Sequence, residues 1–420
     1  MQPLNPMNSV KLRLIGRFWD SQIYSGELIL FDDEGGSLWV NWESALDNIA
    51  QQYPDVQTGM RVAFKDSDLF YNNKVRKILF DPAIQAPIMD QLTLLASQNY
   101  EVLLFNAPSG VAIQKDSPFD FLPVDTEIYY NTVFAGGDSG LYSAKRASFS
   151  GGLGTIADRH HDARVFQIKA SDRFTAIATA MGDDGLFEFD VSPRDESSII
   201  SNERNLSPRA CSACDWAFQS VVGWTADSSF FVNYFANAPR SGSTKAERTF
   251  DRVVDGKHFF GGQNTRGIVW GAREKLYNLT DMGIAVSDYL PKQRKIKKHV
   301  DGSIDAPPLG PSFDSKGTIP EQLPLDEFVS AGTAPFGNVI ELDDRIVVIR
   351  SDGKIEIFEG EPVHWRIFPR SSHYSNQLHI IYDEYLLIVS FVHDYFVDQE
   401  EKLSGFARSV SPVSEEFKQA

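Results

Sequence analysis

Cysteine is nearly absent from this chain, which has only Cys211 and Cys214 among its 420 residues. Two cysteines cannot build the disulfide framework that stabilises small secreted domains. A structural zinc site needs four ligands, and the sequence has no second cysteine pair. A thioredoxin-type redox pair should begin a helix, whereas these residues precede a strand-like run at 215–218. We therefore expect thiols in a loop or at a strand edge, with a metal or redox role as the alternative.

Long apolar runs are also lacking. No segment approaches the roughly 20 residues that cross a bilayer as a helix. Residues 1–6 show no charged region followed by an apolar one, so we find no secretory signal. Together with the scarcity of cysteine, these features predict a cytoplasmic protein without a membrane partner.

Positive charge is scarce, since 40 Lys and Arg face 57 Asp and Glu, for a net charge of −17. A surface with this excess of carboxylates repels phosphate backbones. The composition therefore argues against nucleic acid as a general partner.

One basic run departs from this pattern, at residues 291–299. Alternation around Ile296 indicates an outer strand with charged side chains in solvent, which also discourages edge-to-edge aggregation. The alternative is binding to an anionic partner, including a local contact with nucleic acid. The candidate binding residues are Lys292, Arg294, Lys295, Lys297 and Lys298.

Known catalytic motifs are missing, among them the Gly-x-Ser-x-Gly elbow, the phosphate loop and the His-Glu-x-x-His helix. Carboxylate pairs do occur, and each falls at a predicted hairpin turn, where Asp suits the backbone geometry. They are Asp32-Asp33, Asp183-Asp184, Asp343-Asp344 and Asp383-Glu384. We therefore predict no catalytic residue, no metal and no cofactor.

A short hairpin unit with the pattern Gly-Asp-x-Gly-Leu-aromatic recurs along the chain. Clear copies lie at 137–142, 182–187 and 280–285, and looser copies at 226–231 and 351–355. Successive aspartates are 45, 44, 54 and 71 residues apart. Repeats of this length are typical of propeller blades. The chain thus resembles β-propeller repeat proteins, although Trp19-Asp20 is its only Trp-Asp pair and no WD40 signature is present.

The resemblance implies an all-β fold of about seven four-stranded blades, in which the first and last strands share a blade. We expect one propeller domain over 1–399 and a polar tail at 400–420. Two helical insertions, at 43–53 and 83–98, interrupt the early blades, and strands are predicted between them at 61–64 and 74–80. Residues 301–324 are rich in Pro, Gly, Ser and Asp and predict an inserted loop.

The densest polar cluster covers residues 158–164 and is predicted to lie in a loop between two strands. Its arginines could bind an anion, and its histidines and carboxylates a metal. The alternative is a solvated loop between blades. The candidate binding residues are Arg159, His160, His161 and Arg164.

A rigid ring of blades that lacks catalytic motifs favours a non-enzymatic scaffold, which binds a partner protein through loops on one face. The longest loops are predicted at 149–163, 239–249 and 301–324. The alternative function is a hydrolase or lyase with a polar site at the central channel, because blades can contribute single residues that no local motif reveals.

Overall fold

The computed structural model describes residues 8–65, 78, 81–103, 111–147, 151–192, 199–237, 247–260, 267–290 and 311–392. Within these ranges the chain forms three α-helices and 29 strands, which assemble into seven sheets. Six sheets have four strands and one has five. The predicted all-β, seven-bladed propeller fold is therefore confirmed.

Strand bounds follow the predicted runs closely through most of the chain. The first ten strands are β1 (Val10–Ile15), β2 (Asp20–Tyr24), β3 (Glu27–Phe31), β4 (Gly36–Asn41), β5 (Tyr100–Leu103), β6 (Ala112–Asp116), β7 (Asp125–Tyr129), β8 (Thr132–Gly137), β9 (Gly140–Lys145) and β10 (Asp158–His161). The next twelve are β11 (Gln167–Ala170), β12 (Ala176–Ala180), β13 (Leu186–Val191), β14 (Ile200–Ser207), β15 (Ala213–Ala217), β16 (Ser220–Trp224), β17 (Ser229–Asn237), β18 (Glu247–Asp255), β19 (Val269–Ala272), β20 (Lys275–Thr280), β21 (Gly283–Leu290) and β22 (Ser312–Ile319). The last seven are β23 (Phe328–Ala334), β24 (Gly337–Leu342), β25 (Arg345–Arg350), β26 (Ile355–Glu359), β27 (His364–Ile367), β28 (Gln377–Tyr382) and β29 (Tyr385–Ser390).

Two compact units divide the described chain. The first contains the described residues of 1–133, 142–158 and 327–406, and the second those of 134–141 and 159–326. The first unit includes the sheets β2–β3–β4–β6, β23–β24–β25–β26 and β27–β28–β29–β1–β5, and the second includes β11–β12–β13–β14, β15–β16–β17–β18 and β19–β20–β21–β22. The remaining sheet has the order β10–β9–β8–β7. A single propeller domain over 1–399, followed by a tail at 400–420, stays a prediction.

The two ends of the described chain meet in one sheet, as predicted. β1 pairs antiparallel with β29, from Val10 opposite Ser390 to Ile15 opposite Tyr385. The other edge of β1 pairs in parallel with β5, starting with Leu12 opposite Tyr100. The sequence predicted four-stranded blades, so the addition of β5 as a fifth strand was not predicted. It leaves no free edge on β1, so the N-terminal strand is held from both sides.

The predicted helical insertions are present as α1 (Trp42–Gln52) and α3 (Pro82–Ala96), but the chain between them also contains α2 (Gln57–Phe64). The strand predicted at 61–64 is therefore wrong. Residues 62–64 are all buried, and so short an apolar run has no period that separates a strand from a buried helix turn. The strand predicted at 74–80 lies outside the described residues, apart from residue 78.

The inserted loop predicted at 301–324 is wrong in its second half, where β22 forms. This strand pairs antiparallel with β21, from Ile284 opposite Ile319 to Leu290 opposite Ser312. Its sequence is polar because it is the outer strand of its sheet and most of its side chains are not buried. Backbone pairing therefore formed a strand that the side-chain pattern did not reveal. Residues 301–310 lie outside the described part of the chain.

In four of the seven sheets the recurrent hairpin marks the turn between the second and third strands. The units at 137–142, 182–187, 226–231 and 280–285 all lie there. The unit at 351–355 does not, because it joins the third and fourth strands; the equivalent turns near the C-terminus contain Asp343 and Asp383. Glycine is required at 140, where φ is +118° and an added Cβ would collide with the His161 carbonyl oxygen.

Candidate functional site

The predicted polar cluster lies on β10 and the residues after it, so its placement in a loop is wrong for 158–161. Arg159 pairs with Asp162 through Nε and Oδ1 at 3.1 Å, and its Nη2 donates to the Ser139 carbonyl oxygen at 2.9 Å. Arg164 Nε lies 2.7 Å from Asp138 Oδ1. Both guanidinium groups therefore have carboxylate partners within their own unit.

Both histidines of the cluster, His160 and His161, are half-buried. The His161 ring packs 5.2 Å from the Phe187 ring, its Nδ1 accepts from the Ala163 amide at 3.0 Å, and its Nε2 lies 3.4 Å from Glu203 Oε1. Across the described ranges no group of three His, Cys, Asp or Glu side chains is placed to hold a metal ion. The basic run at 292–298 lies outside those ranges.

Both cysteines are fully buried free thiols. Cys211 ends a loop and its Sγ lies 3.1 Å from the Ala213 carbonyl oxygen, while Cys214 belongs to β15. Burial raises the pKa of the Cys211 thiol to about 12. A protonated thiol in an apolar cluster is a poor nucleophile and a poor metal ligand. The positions of the two cysteines agree with the prediction of thiols in a loop or at a strand edge.

We expect neither cysteine to react with iodoacetamide in the native protein at pH 8. A pKa near 12 makes the thiolate fraction of Cys211 about a thousandfold lower than that of an ordinary thiol. Mass spectrometry should find both thiols unmodified in buffer and both alkylated in guanidinium chloride. Rapid labelling of the native protein at either position would contradict this burial.

A buried polar cluster joins the first strands of three sheets in the first unit. Arg366 of β27 donates from Nε and Nη2 to the two carboxylate oxygens of Asp20 on β2, at 2.8 and 2.6 Å. Its Nη1 lies 2.6 Å from Asp125 Oδ1 on β7. All three residues are buried: Arg366 is 8% exposed, Asp20 1% and Asp125 5%. The single positive charge of Arg366 is thus shared between two carboxylates.

Burial alone would raise the pKa of Asp20, but the Arg366 guanidinium outweighs it and holds that pKa below its ordinary value. Next to Asp20, Ser21 Oγ lies 3.0 Å from Nδ1 of His379, a spacing that a nucleophile and its base could have. Both residues are fully buried, however. A substrate cannot reach them, so this cluster gives the hydrolase or lyase alternative no accessible group to act with.

His379 should make stability depend on pH. Burial lowers its pKa to about 3, so it is neutral in the folded protein, whereas an unfolded histidine binds a proton near pH 6.5. The unfolded state therefore binds more protons below pH 6.5, and stability is lost as the pH falls towards 3. Relative to wild type, His379→Asn should recover about 1.4 kcal/mol per pH unit over this window.

Urea unfolding at pH 7, 6, 5 and 4 measures this difference. The control is His258→Asn, which changes an exposed histidine and should run parallel to wild type. Parallel curves for wild type and His379→Asn would refute the assignment.

In five of the seven sheets the third and fourth strands are joined by a connection of eight or more residues, which is the longest within its sheet. These connections are 42–111 with the three helices, 146–157, 192–199, 238–246 and 291–311. The turns between second and third strands are all short, as at 32–35 and 281–282. In an up-and-down antiparallel sheet, the third-to-fourth connection leaves from the end opposite the second-to-third turn. We call this the long-loop end of each sheet.

Helix α3 within the first of these connections exposes apolar side chains. Only Leu92 and Leu95 are buried, while Ile84 and Leu94 are 37 and 40% exposed. The helix contains one charged residue, Asp90. Leu103 on the following strand is 52% exposed. Exposed apolar groups of this kind are enriched where proteins meet partners.

None of the described helices is both long and apolar enough to cross a bilayer. No family model and no curated protein matches the chain. Among solved structures it is similar to "AfRom2 CNH domain", with 11% identity, a TM-score of 0.32, and coverage of 62% of this chain and 90% of that one. It is also similar to "Crystal structure of WD40 beta propeller domain of Doa1", with 8% identity, a TM-score of 0.45, and coverage of 91% and 96%. At these scores neither similarity bears on function.

Proposed function

We propose that this protein is a non-enzymatic scaffold that binds a partner protein at the long-loop end of its sheets. The observation that carries the proposal is the placement of the long connections between third and fourth strands in five sheets. Rigid strands hold these connections while leaving their sequences free to vary, which is how binding loops are commonly presented. The opposite end of each sheet has the short second-to-third turn together with the connections between sheets, the longest of which is 256–268.

Two further observations support a protein partner. Helix α3 offers exposed aliphatic side chains, and such groups favour contact with protein over contact with nucleic acid. By position in the chain, the basic run at 292–298 falls in the connection between β21 and β22, and so belongs to the same end. The candidate residues of the other predicted cluster, at 159–164, are paired within their unit and are kept as a secondary contact.

Affinity purification of the tagged full chain from its source cells tests the proposal. One variant replaces residues 238–246 with a Gly/Ser loop of equal length. Its matched control replaces Asp281 and Met282, in a short turn at the opposite end of a sheet, with Asn-Gly. Recovery of a partner should fall at least tenfold for the first variant and stay unchanged for the control. Failure of the wild type to retain any protein, or equal losses in both variants, would overturn it.

A further inference from the structure

Two turns between first and second strands in the second unit hold bulky residues in the left-handed region. Phe218, between β15 and β16, has φ of 56°, and Arg273, between β19 and β20, has φ of 54°. Such hairpin turns normally place Gly, Asn or Asp here, because other side chains are strained. The cost is on the order of 1 kcal/mol or more for each residue. The stability of the fold alone would therefore not favour Phe at 218 or Arg at 273.

Arg273 and Arg173, which lies in the turn between β11 and β12, differ from the other described arginines because neither has a carboxylate partner among the described residues. Both side chains are exposed. In the described part of the chain, each of the other arginines lies within 4.0 Å of a carboxylate, whereas these two have no such partner. In a protein with a net charge of −17, two such arginines on the sheets that lie on either side of β15–β18 are an informative exception.

The turn that contains Phe218 adjoins each of the two turns that contain the arginines. The Arg173 guanidinium carbon lies 3.8 Å from the centre of the half-buried Phe218 ring. On the other side, a Cβ added at Gly271 would lie 2.9 Å from the Trp216 carbonyl oxygen, so β19 approaches β15 just before the turns that contain Arg273 and Phe218. First-to-second turns lie at the same end of a sheet as third-to-fourth connections, so this surface belongs to the long-loop end.

We propose that the surface formed by Arg173, Phe218 and Arg273 docks an acidic segment of the partner protein. Carboxylates of that segment pair with the two guanidinium groups, and an apolar side chain beside them covers the Phe218 ring. Stacking on the ring holds the Arg173 guanidinium in place before binding, which lowers the entropy lost when the pair forms. The neighbouring Asp172 and Glu274 oppose the binding of acidic segments in general, so selectivity rests on placement of the two arginines. The proposal rests on the protein-binding function above.

Fluorescence anisotropy with a labelled oligoglutamate peptide tests the charge preference, using the full chain in low salt. The Arg173→Ala/Arg273→Ala variant should bind the peptide at least fivefold more weakly than wild type. The matched control, Arg209→Ala/Arg252→Ala, removes two exposed arginines of the same unit that already have carboxylate partners. It should stay within twofold of wild type. Asp172→Asn/Glu274→Gln should bind more tightly, a gain that general destabilisation cannot produce.

Equal binding of oligoglutamate by wild type and the Arg173→Ala/Arg273→Ala variant would overturn the proposal. Binding of an oligothymidylate of equal length that depends more strongly on these two arginines would also overturn the proposal, because that result would show that the surface binds phosphate groups. Purification of the same variant from cells separates the two proposals. A partner retained by both wild type and the variant refutes this surface and leaves the scaffold function intact. A partner lost only with the variant, and displaced by free oligoglutamate, supports both.

Discussion

Replacing Arg366 with methionine should lower the free energy of unfolding by about 3–5 kcal/mol. The substitution keeps much of the side-chain volume but removes the guanidinium group that contacts both Asp20 and Asp125. Two buried carboxylates would then lose their shared guanidinium group, although Asp20 would keep the hydrogen bonds from the Thr126 hydroxyl and the Ser21 amide. Burying an unpaired charge costs far more than an ion pair gains, so the loss should be near the upper range for single substitutions.

Arg345→Met is the matched control for this experiment. Arg345 pairs with Glu327 and Asp344 in the same unit, but it is partly exposed and its partners are solvated. Its loss should cost under about 1 kcal/mol. The triple variant Asp20→Asn/Asp125→Asn/Arg366→Met removes all three charges and should recover part of the stability. Urea unfolding followed by circular dichroism gives the values, and equal effects of the two single variants would contradict the role assigned to Arg366.

Glu188→Gln should cost the second unit about 3–5 kcal/mol. The Glu188 side chain is fully buried, and its two carboxylate oxygens pair with Arg204 of its own sheet and Arg248 of the next. The Arg248 guanidinium also stacks on aromatic rings, with centroid distances of 4.0 Å for Tyr234, 4.9 Å for Phe174 and 5.0 Å for Trp216. A neutral amide cannot accept from both guanidinium groups at once, so a buried Arg248 loses its counter-charge.

Glu203→Gln provides the control for this second substitution. Glu203 belongs to the same sheet, but its side chain is 47% exposed and its partner is His161. Removing its charge should change the free energy of unfolding by less than about 1 kcal/mol. The same urea titration measures both variants. If Glu188→Gln were no more costly than Glu203→Gln, the two-arginine contact would not be a stabilising feature.

The two substitutions together also test the predicted single domain over 1–399. Arg366 lies in the first compact unit and Glu188 in the second. In one cooperative domain, Arg366→Met and Glu188→Gln should shift the same unfolding transition to lower urea. Two separate unfolding transitions, each shifted by only one of the variants, would show that the chain forms two domains.

Much of the fold followed from local pattern. The spaced Gly-Asp turns located the second-to-third connections of successive sheets, and alternating apolar runs located most of the strands. The errors have specific causes. Residues 61–64 are a short apolar run without a readable period, β22 is a polar outer strand, and the unit at 351–355 has the right residues in a different turn.

The buried polar clusters could not be predicted in the same way. Asp20 and Arg366 are 346 residues apart, and neither belongs to a motif. Arg173 and Arg273 look like any other exposed arginine in the sequence. Their distinction is that no carboxylate of the described residues lies within 4.0 Å of either guanidinium group, which only coordinates can reveal. The candidate residues at 159–164 are the opposite case. The cluster is conspicuous in the sequence, but in the structure Arg159 pairs with Asp162 and Arg164 pairs with Asp138.

By itself the sequence determined the class of fold, an approximate number of blades and the predicted need for turn-forming aspartates, because strand period and turn chemistry are local properties of the backbone. The tertiary structure decided how β1 is held between β29 and β5, which charges are buried against each other, and which two arginines of the described ranges have no carboxylate within 4.0 Å. Those outcomes depend on distances between residues far apart in the chain. Burial multiplies the energy of each such contact, and no local pattern encodes it.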